Sequence, residues 1–336
     1  MDIIVNGIMK GEIYSFLDIQ KEQKTANVYA SKRVLEGKCL KKVVIGIVGC
    51  LLLIMLYVAG TFVYQSTFAR EKIDEEKTIE LGQIKSIDVR TSSANIRVLS
   101  NTTDQIKINV DGEMNKKLKE QYQLIVEEVN GQLVIEYLAN ENTVGIKFGS
   151  ENDITISILL PEKDYQRFNM VTSSGNIEVE NLVADNIEIT TTSGSQSLID
   201  SEIKGDAMIQ STSGDIVWES SILTAFQVNT TSGKVKTKAL AAKNGRIETT
   251  SGNVTLNMGS EMEEIQIETT SGDVAVDYEK NPDSLKLTFA GSSGKSDINL
   301  PGMMYDEESE NSAIGVLGDG SNILDVKTTS GDLVVH

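Results

Sequence analysis

The chain has 336 residues with a formal net charge of −18, and hydrophobic side chains make up 40% of it. That apolar content in a chain of this length suffices for a large core and argues against a disordered protein. Two cysteines and a single histidine, the terminal His336, are too few for a disulfide scaffold, and they exclude histidine-based catalysis and histidine metal sites.

The segment from Val43 to Val63 contains no charged residue over 21 positions. A run of that length spans a bilayer core, so we predict a single transmembrane helix within residues 43–64. Residues 1–42 then form a tail, and the polar residues 65–78 form a stalk. The basic residues that precede the run are Lys32, Arg33, Lys38, Lys41 and Lys42.

These basic residues predict the orientation of the chain, because basic flanks stay in the cytoplasm. We therefore expect a protein of the cell membrane with a cytoplasmic N terminus and with residues 65–336 outside. The outer part carries 23 basic and 44 acidic residues, a net charge of −21. Such a charge disfavours nucleic acid and favours cationic partners.

A Ser-Gly pair preceded by Thr or Ser recurs through the second half of the chain. The intervals between its glycines are 19, 20, 19, 19, 20, 22 and 37 residues. A nearly constant period of this size indicates one structural unit stacked many times. The glycines are Gly175, Gly194, Gly214, Gly233, Gly252, Gly272, Gly294 and Gly331.

Each unit has apolar residues seven and five positions before its glycine and two and four positions after it, as at Ile265, Ile267, Val274 and Val276. Alternation on both sides predicts two strands, but the two sets differ in parity, so the chain must turn a corner at Ser-Gly. We predict an all-β fold, with a parallel β-helix (solenoid) of about 19 to 20 residues per coil over residues 166–336. An antiparallel sandwich is the alternative, and it does not explain the constant period.

Two columns of hydroxyl side chains follow from the same spacing. The inner column, three residues before each glycine, is expected to bond to the backbone at the corner. The outer column, two residues before the glycine, faces solvent, either as a flat ligand-binding strip or, as we favour, only as corner chemistry with β-propensity. The inner residues are Thr191, Ser211, Thr230, Thr249 and Thr269, and the outer ones are Thr192, Thr212, Thr231, Thr250 and Thr270.

Residues 79–165 lack the regular period and are predicted to form an antiparallel β entry region that caps the solenoid. Asn130-Gly131 between two alternating runs predicts a hairpin. Residues 87–98 fit the repeat with Ala94 in the glycine position, and we expect them to lie outside the regular array. At the other end we expect a loop over residues 301–321 and then a last coil that ends the chain.

Carboxylates are the remaining candidates for chemistry. Asp215, Asp273 and Asp332 each follow a corner glycine, and repetition at a turn position favours turn chemistry over catalysis. A second group, Asp306, Glu307, Glu308 and Glu310, could bind a cation weakly, although a solvated loop is the simpler interpretation. We therefore predict no catalytic, cofactor-binding or metal-binding residues, no cofactor and no enzymatic activity.

The Thr-Thr-Ser-Gly corners and the Ile156-Ser-Ile-Leu-Leu-Pro161 strand resemble the bacterial putative-adhesin β-strand-repeat family, which includes LiaG-like cell-envelope proteins. The resemblance implies a membrane-anchored surface protein, and some relatives in the family are linked to envelope stress. From the predicted anchor, the repeats and the missing catalytic motifs, we predict a non-enzymatic envelope protein that binds or senses a wall, peptide or protein partner. A surface adhesin that binds glycans through Thr231, Thr250 and Thr270 is the alternative, and a carbohydrate-active β-helix enzyme is a more distant one.

Overall fold

The computed structural model describes residues 21, 23–25, 27, 49–61, 70–139, 153–260 and 262–336. The chain divides into two compact units, Met1–Ala69 and Arg70–His336. In the first unit residues 49–61 are helical, and large apolar side chains such as Leu53 and Met55 are exposed. No helix within these described ranges has both the length and the apolarity to cross a membrane. Residues 43–48, 62 and 63 of the predicted span lie outside them.

The described residues of the second unit form 25 strands in two sheets. In chain order the first nine are β1 (Arg70–Glu80), β2 (Ser86–Thr91), β3 (Asn95–Asn101), β4 (Gln105–Asn115), β5 (Tyr122–Val129), β6 (Gln132–Ala139), β7 (Asp153–Pro161), β8 (Tyr165–Thr172) and β9 (Ile177–Glu180). One helical turn, Lys116–Lys119, lies between β4 and β5.

The regular part of the solenoid continues with short strands. They are β10 (Val183–Thr191), β11 (Gln196–Ile199), β12 (Glu202–Gln210), β13 (Ile216–Glu219), β14 (Ile222–Thr230), β15 (Val235–Lys238), β16 (Ala241–Thr249), β17 (Val254–Met258), β18 (Glu264–Thr269) and β19 (Val274–Tyr278). The last strands are β20 (Leu285–Gly291), β21 (Ser296–Ile298), β22 (Met304–Glu308), β23 (Ser312–Leu317), β24 (Ile323–Thr328) and β25 (Leu333–Val335).

Each coil places one strand in each sheet and turns at the Ser-Gly corner. The 12-stranded sheet runs β1-β4-β7-β3-β9-β11-β13-β15-β17-β19-β25-β21, and the 13-stranded sheet runs β22-β23-β20-β24-β18-β16-β14-β12-β10-β8-β2-β6-β5. Neighbouring coils pair in parallel and in register, as between Ile187 and Ala207. The predicted parallel solenoid and its corners are thus confirmed.

The core lies between the two sheets, where the inward side chains of all coils meet. Ile187 and Ile189 before the corner, and Leu198 after it, are each at most 1% exposed. Full burial of a large apolar side chain stabilises the folded state by roughly 1.5–3 kcal/mol. The apolar positions that the sequence places before and after each corner glycine are therefore the positions that fill the interior.

Both ends of the solenoid depart from chain order. Strands β24 and β25 lie between the β18–β19 coil and the β20–β21 coil, so the last coil of the chain does not close the stack. At the other end of the solenoid, β2 lies between β8 and β6 in the 13-stranded sheet. In the 12-stranded sheet β3 lies between β9 and β7. The first and last coils are each held by parallel neighbours on both sides.

The predicted cap over residues 79–165 is only partly antiparallel. Strands β1, β4 and β7 pair antiparallel, and β5 and β6 form the hairpin at Asn130-Gly131, whose φ angles are 52° and 77°. Residues 86–101, however, form a coil inside the array, contrary to prediction. Ala94 fits because its N–H still reaches Thr91 Oγ1 at 3.3 Å, as in a normal corner.

Two segments expected to be irregular are strands. Residues 70–78 of the predicted stalk belong to β1, which pairs with β4 along its whole length. The predicted loop over residues 301–321 contains the antiparallel pair β22 and β23, and β23 pairs with β20. This hairpin forms one end of the 13-stranded sheet. Its edge strand β22 has five residues, three of them acidic, and short charged edge strands discourage pairing with another chain.

Candidate binding surface

The inner hydroxyl column holds each corner closed, as the spacing predicts. Thr249 Oγ1 accepts the N–H of Gly252 at 3.0 Å, and Ser211 Oγ does the same for Gly214 at 3.0 Å. The same bond joins the equivalent residues of the other corners, Thr172, Thr191, Thr230, Thr269 and Thr328, to their glycines. Each bond satisfies a buried N–H group that the sharp turn removes from the ladder.

The corner glycines are required by close stacking and not by unusual backbone angles. A Cβ atom on Gly214 would lie 1.8 Å from the carbonyl oxygen of Gly194, far inside contact distance. None of the corner glycines has a positive φ angle. The left-handed residues are instead at the second turn of four coils, at Asn181, Asp200, Ser220 and Ala239.

The second turn is also shorter than predicted. The spacing of apolar residues in the sequence predicts a second turn of about six residues, from Ser220 to Ala225. In the structure β14 begins at Ile222, and only two residues separate it from β13. The left-handed residue reverses the chain within this short link. The long strand that follows carries both the apolar core positions and the outward residues next to the corner.

The aspartates after the corner glycines tie neighbouring coils together. Asp215 Oδ1 accepts the N–H of Lys234 at 2.9 Å, and Asp273 Oδ1 accepts that of Asp332 at 3.0 Å. Asp332 Oδ1 in turn accepts the N–H of Lys295 at 2.8 Å. These side chains therefore act in the stacking of corners, in agreement with the turn chemistry inferred from their spacing.

The outer hydroxyl column is longer and more regular than the sequence shows. Because β24 and β25 follow β18 and β19 in space, Thr329 lies next to Thr270, and Ser292 is displaced to the end of the column. Six threonines are thus consecutive in neighbouring coils: Thr192, Thr212, Thr231, Thr250, Thr270 and Thr329. They are all exposed.

Backbone hydrogen bonds fix the spacing of this column. The N–H of Ser251 bonds to Thr231 O at 2.8 Å, and that of Ser330 bonds to Thr270 O at 2.9 Å. Parallel strands in such a ladder are about 4.8 Å apart, so the hydroxyls repeat at that interval. The corner therefore offers a rigid, evenly spaced row of donors and acceptors.

A shallow groove of about 820 Å³ runs beside this column. Its second wall is formed by the residues four positions before each corner glycine: Thr190, Gln210, Asn229, Glu248, Glu268 and Lys327. Sequence reasoning missed this wall, although these positions share the outward parity of the outer threonines. Together the two walls form a polar, open surface across six coils, which we call the threonine groove.

The charges in the threonine groove are partly neutralised. Arg246 Nε bonds to Glu248 at 2.6 Å, and its guanidinium lies 3.6 Å from Glu268. The bond to Glu248 raises the pKa of Arg246. Lys327 contacts Asp325 at 3.0 Å and Glu268 at 3.8 Å, and the bond to Asp325 raises its pKa.

The acidic residues Asp306, Glu307 and Glu308 lie in β22, and Glu310 lies between β22 and β23. Glu310 contacts Lys295 at 3.0 Å, and Glu307 accepts a hydrogen bond from Ser312 at 3.1 Å. Within the ranges that the structure describes, no group of His, Cys, Asp or Glu side chains is arranged to hold a metal ion.

The fold and its corners define a two-sheet β-solenoid that carries an open polar groove. The chain belongs to the Toastrack DUF4097 family, whose model matches residues 84–336. The family match confirms the predicted resemblance to an adhesin-like β-strand-repeat family. A comparison with curated proteins gave no match.

Several solved structures resemble the chain at low identity. A putative lipid binding protein from Parabacteroides distasonis has 16% identity and a TM-score of 0.48, with 78% of this chain and 96% of that one covered. A putative adhesin from Bacteroides fragilis has 12% identity and a TM-score of 0.46, with 79% and 98% covered. A putative cell adhesion protein from Clostridium sporogenes has 13% identity and a TM-score of 0.29, with 79% and 99% covered.

Proposed function

We propose that this chain is a non-enzymatic protein of the bacterial cell envelope, anchored in the membrane by residues 43–63, whose solenoid binds or senses a wall, peptide or protein partner outside the membrane. The observation that carries the binding role is the threonine groove. Its hydroxyls are held at constant spacing by the backbone, so little conformational entropy is lost when a ligand binds.

The chemistry of the groove favours an extended polar ligand. The walls offer hydroxyl, amide, carboxylate and ammonium groups, and no aromatic side chain lines them. A polymer or an extended peptide can follow such a row of groups, whereas a small apolar molecule finds no enclosed cavity. The hydroxyl row also favours a second candidate, a glycan-binding adhesin that uses Thr231, Thr250 and Thr270.

The non-enzymatic part of the proposal is supported by how the carboxylates are used. In Asp215, Asp273 and Asp332, one carboxylate oxygen accepts a hydrogen bond from a backbone N–H of the neighbouring coil. The groove carboxylates Glu248 and Glu268 face Arg246 and Lys327. The oxygens of these carboxylates are therefore engaged in hydrogen bonds and ion pairs within the chain.

The anchoring is supported by the uncharged run and by the exposed apolar side chains of residues 49–61. The two native cysteines, Cys39 and Cys50, make the orientation testable. Every variant carries Cys50→Ser, and intact cells that express it are treated with a membrane-impermeant maleimide. We expect labelling of a Ser251→Cys, Cys39→Ser variant and no labelling of the chain that retains Cys39. Labelling of Cys39 alone would contradict the orientation.

The groove is tested by binding of the detergent-solubilised full chain to isolated wall polymer, to soluble glycans and to envelope protein extract. Replacing Thr231, Thr250 and Thr270 together with Val removes three hydroxyls at nearly constant shape. The matched control replaces Ser232, Ser251 and Ser271 with Ala on the adjacent exposed column. Loss of binding in the Val variant alone supports the groove, and equal binding by both variants contradicts it.

A further inference from the structure

A basic patch interrupts the acidic surface on the outer face of the 12-stranded sheet. Lys236 and Lys238 lie in β15 and Lys234 lies immediately before it. The three alternate with inward residues, so their side chains point outward, and all three are exposed. None of their ammonium groups has an ion pair or a side-chain hydrogen bond with any residue in the described ranges. The outer part of the chain carries 44 acidic residues, so three adjacent unpaired lysines are unusual.

The neighbouring strand β17 extends the patch with hydrogen-bond donors. Asn253 Oδ1 accepts the N–H of Asp273 at 3.2 Å, and Asn257 Oδ1 accepts the N–H of Ala239 at 3.0 Å. Because each amide oxygen is held by a backbone donor, each amide nitrogen is left to donate elsewhere. With the Thr255 hydroxyl between them, β15 and β17 present six outward residues and no carboxylate.

The two strands that flank this patch are acidic. Beyond β15 the outward residues are Asp215, Val217 and Glu219, and beyond β17 they are Asp273, Ala275 and Asp277. The favourable region for an anion is therefore about two strands wide. At about 3.3 Å per residue, the three lysines are spaced at about 6.6 Å along it.

We propose that this patch binds a linear phosphodiester polymer lying along β15, with its phosphates opposite Lys234, Lys236 and Lys238. The patch suits a chain with one negative charge every 6 to 7 Å. The acidic rows on both sides keep the polymer along the strand, because a chain running along the solenoid axis would pass over carboxylates. The net charge of the domain does not prevent this, because salt screens charges beyond about 8 Å.

Two other anionic partners fit the patch less well. Single-stranded nucleic acid is bound through aromatic side chains that stack on the bases, and none of the six residues is aromatic. An anionic membrane surface would contact the acidic rows together with the lysines, and a surface of that kind attracts clustered basic residues instead. This surface is separate from the threonine groove, and its test does not depend on the groove.

The test measures binding of the detergent-solubilised full chain to synthetic poly(glycerol phosphate). The probe for comparison is an uncharged polyol of the same length. Three variants are compared with the unmodified chain. The first replaces Lys234, Lys236 and Lys238 with Gln. The second replaces them with Arg, and the third replaces the scattered exposed residues Lys107, Lys280 and Lys286 with Gln, which changes the net charge by the same amount as the first.

We expect the unmodified chain and the Arg variant to bind the phosphate polymer and not the uncharged polyol. The Gln variant at the patch should bind at least about ten-fold more weakly, and the slope of log affinity against log salt should fall by about 2. The scattered Gln variant should retain its affinity. Equal weakening of both Gln variants would overturn the proposal, because the effect would then come from net charge.

Two further outcomes would also overturn the proposal. One is the absence of polymer binding by the unmodified chain. The other is binding to phosphatidylglycerol vesicles that depends on the three lysines while the polymer does not bind. Correct folding of each variant is checked by the fluorescence of Trp218, the single tryptophan, which is buried in the neighbouring coil.

Discussion

The carbonyl oxygen of Gly175 lies where a side chain on Gly194 would begin, since a Cβ atom built on Gly194 would be 1.8 Å from it. The same relationship repeats at every corner of the regular array, with distances between 1.8 and 2.0 Å. The corner is thus a column of backbones in close contact, and the glycines are needed for this stacking.

We therefore expect Gly194→Ala to destabilise the solenoid by at least about 3 kcal/mol, because the obstacle is backbone of the next coil and cannot turn away. The measurement is urea unfolding of the full chain followed by Trp218 fluorescence. Ser193→Ala, at the exposed neighbouring position, is the control and should change stability by less than about 0.5 kcal/mol. Similar midpoints for the two variants would contradict the stacking argument.

The inner and outer threonines should respond differently to the same substitution. Thr249→Val removes the acceptor for the Gly252 N–H and should cost about 1 to 3 kcal/mol, because a buried donor is left unpaired. Thr250→Val at the exposed position should cost less than about 0.5 kcal/mol. Thr249→Ser should restore most of the loss, since Ser211 already fills this role. Thermal unfolding of the three variants checks the order.

The ring of Phe226 fills the space above Gly245, where a Cβ atom would lie 2.2 Å from the ring. Phe226 also packs edge-on against Trp218 at 5.1 Å between centroids. We expect Gly245→Val to cost more than about 2 kcal/mol through overpacking. Adding Phe226→Leu should recover part of that loss, with a coupling of at least about 1 kcal/mol in the double-mutant cycle. Strictly additive effects would show that the two sites are independent.

Asp273 should tolerate the loss of its charge but not the loss of its acceptor. Asp273→Asn keeps an oxygen for the Asp332 N–H and should leave stability within about 0.5 kcal/mol, whereas Asp273→Ala should lose about 1 kcal/mol. Differential scanning calorimetry of both variants gives the comparison. Equal destabilisation by Asn and Ala would show that the carboxylate charge matters beyond this bond.

Amide hydrogen exchange tests the order of the coils. Strand β24 pairs with β18 and β20, whereas β22 pairs only with β23. Because exchange follows local opening, the amides of β24 should exchange more slowly than those of β22, although β24 is closer to the C terminus. Exchange that becomes faster toward the end of the chain would contradict the inserted position of the last coil.

Much of the fold could be predicted because the repeat is local. The alternation around each glycine identifies which side chains face inward, and Ile265, Ile267, Val274 and Val276 are buried as expected. The hairpin at Asn130-Gly131 follows from local turn chemistry. The strands β1 and β22 were missed, because polar edge strands carry little of the apolar alternation on which the prediction relies. Strand β23 was missed because it lies in a segment that breaks the period of the repeat.

The candidate site was predictable only in part. The outer threonines were identified from parity, but the opposite wall was not, because its residues Gln210, Asn229 and Glu248 differ in chemistry and share only a position. The reason for the glycines was also not predictable from the sequence. Backbone freedom is a property of one residue, whereas the contact between Gly194 and Gly175 exists only after two coils are stacked.

The sequence by itself determined the period, the corner and the inward face, because each depends on residues close together in the chain. Only the tertiary structure decided which coils are neighbours. Every coil presents the same apolar frame, so the sequence does not specify that β24 and β25 insert beside β18 and β19. That non-local choice places Thr329 next to Thr270 and completes the threonine groove.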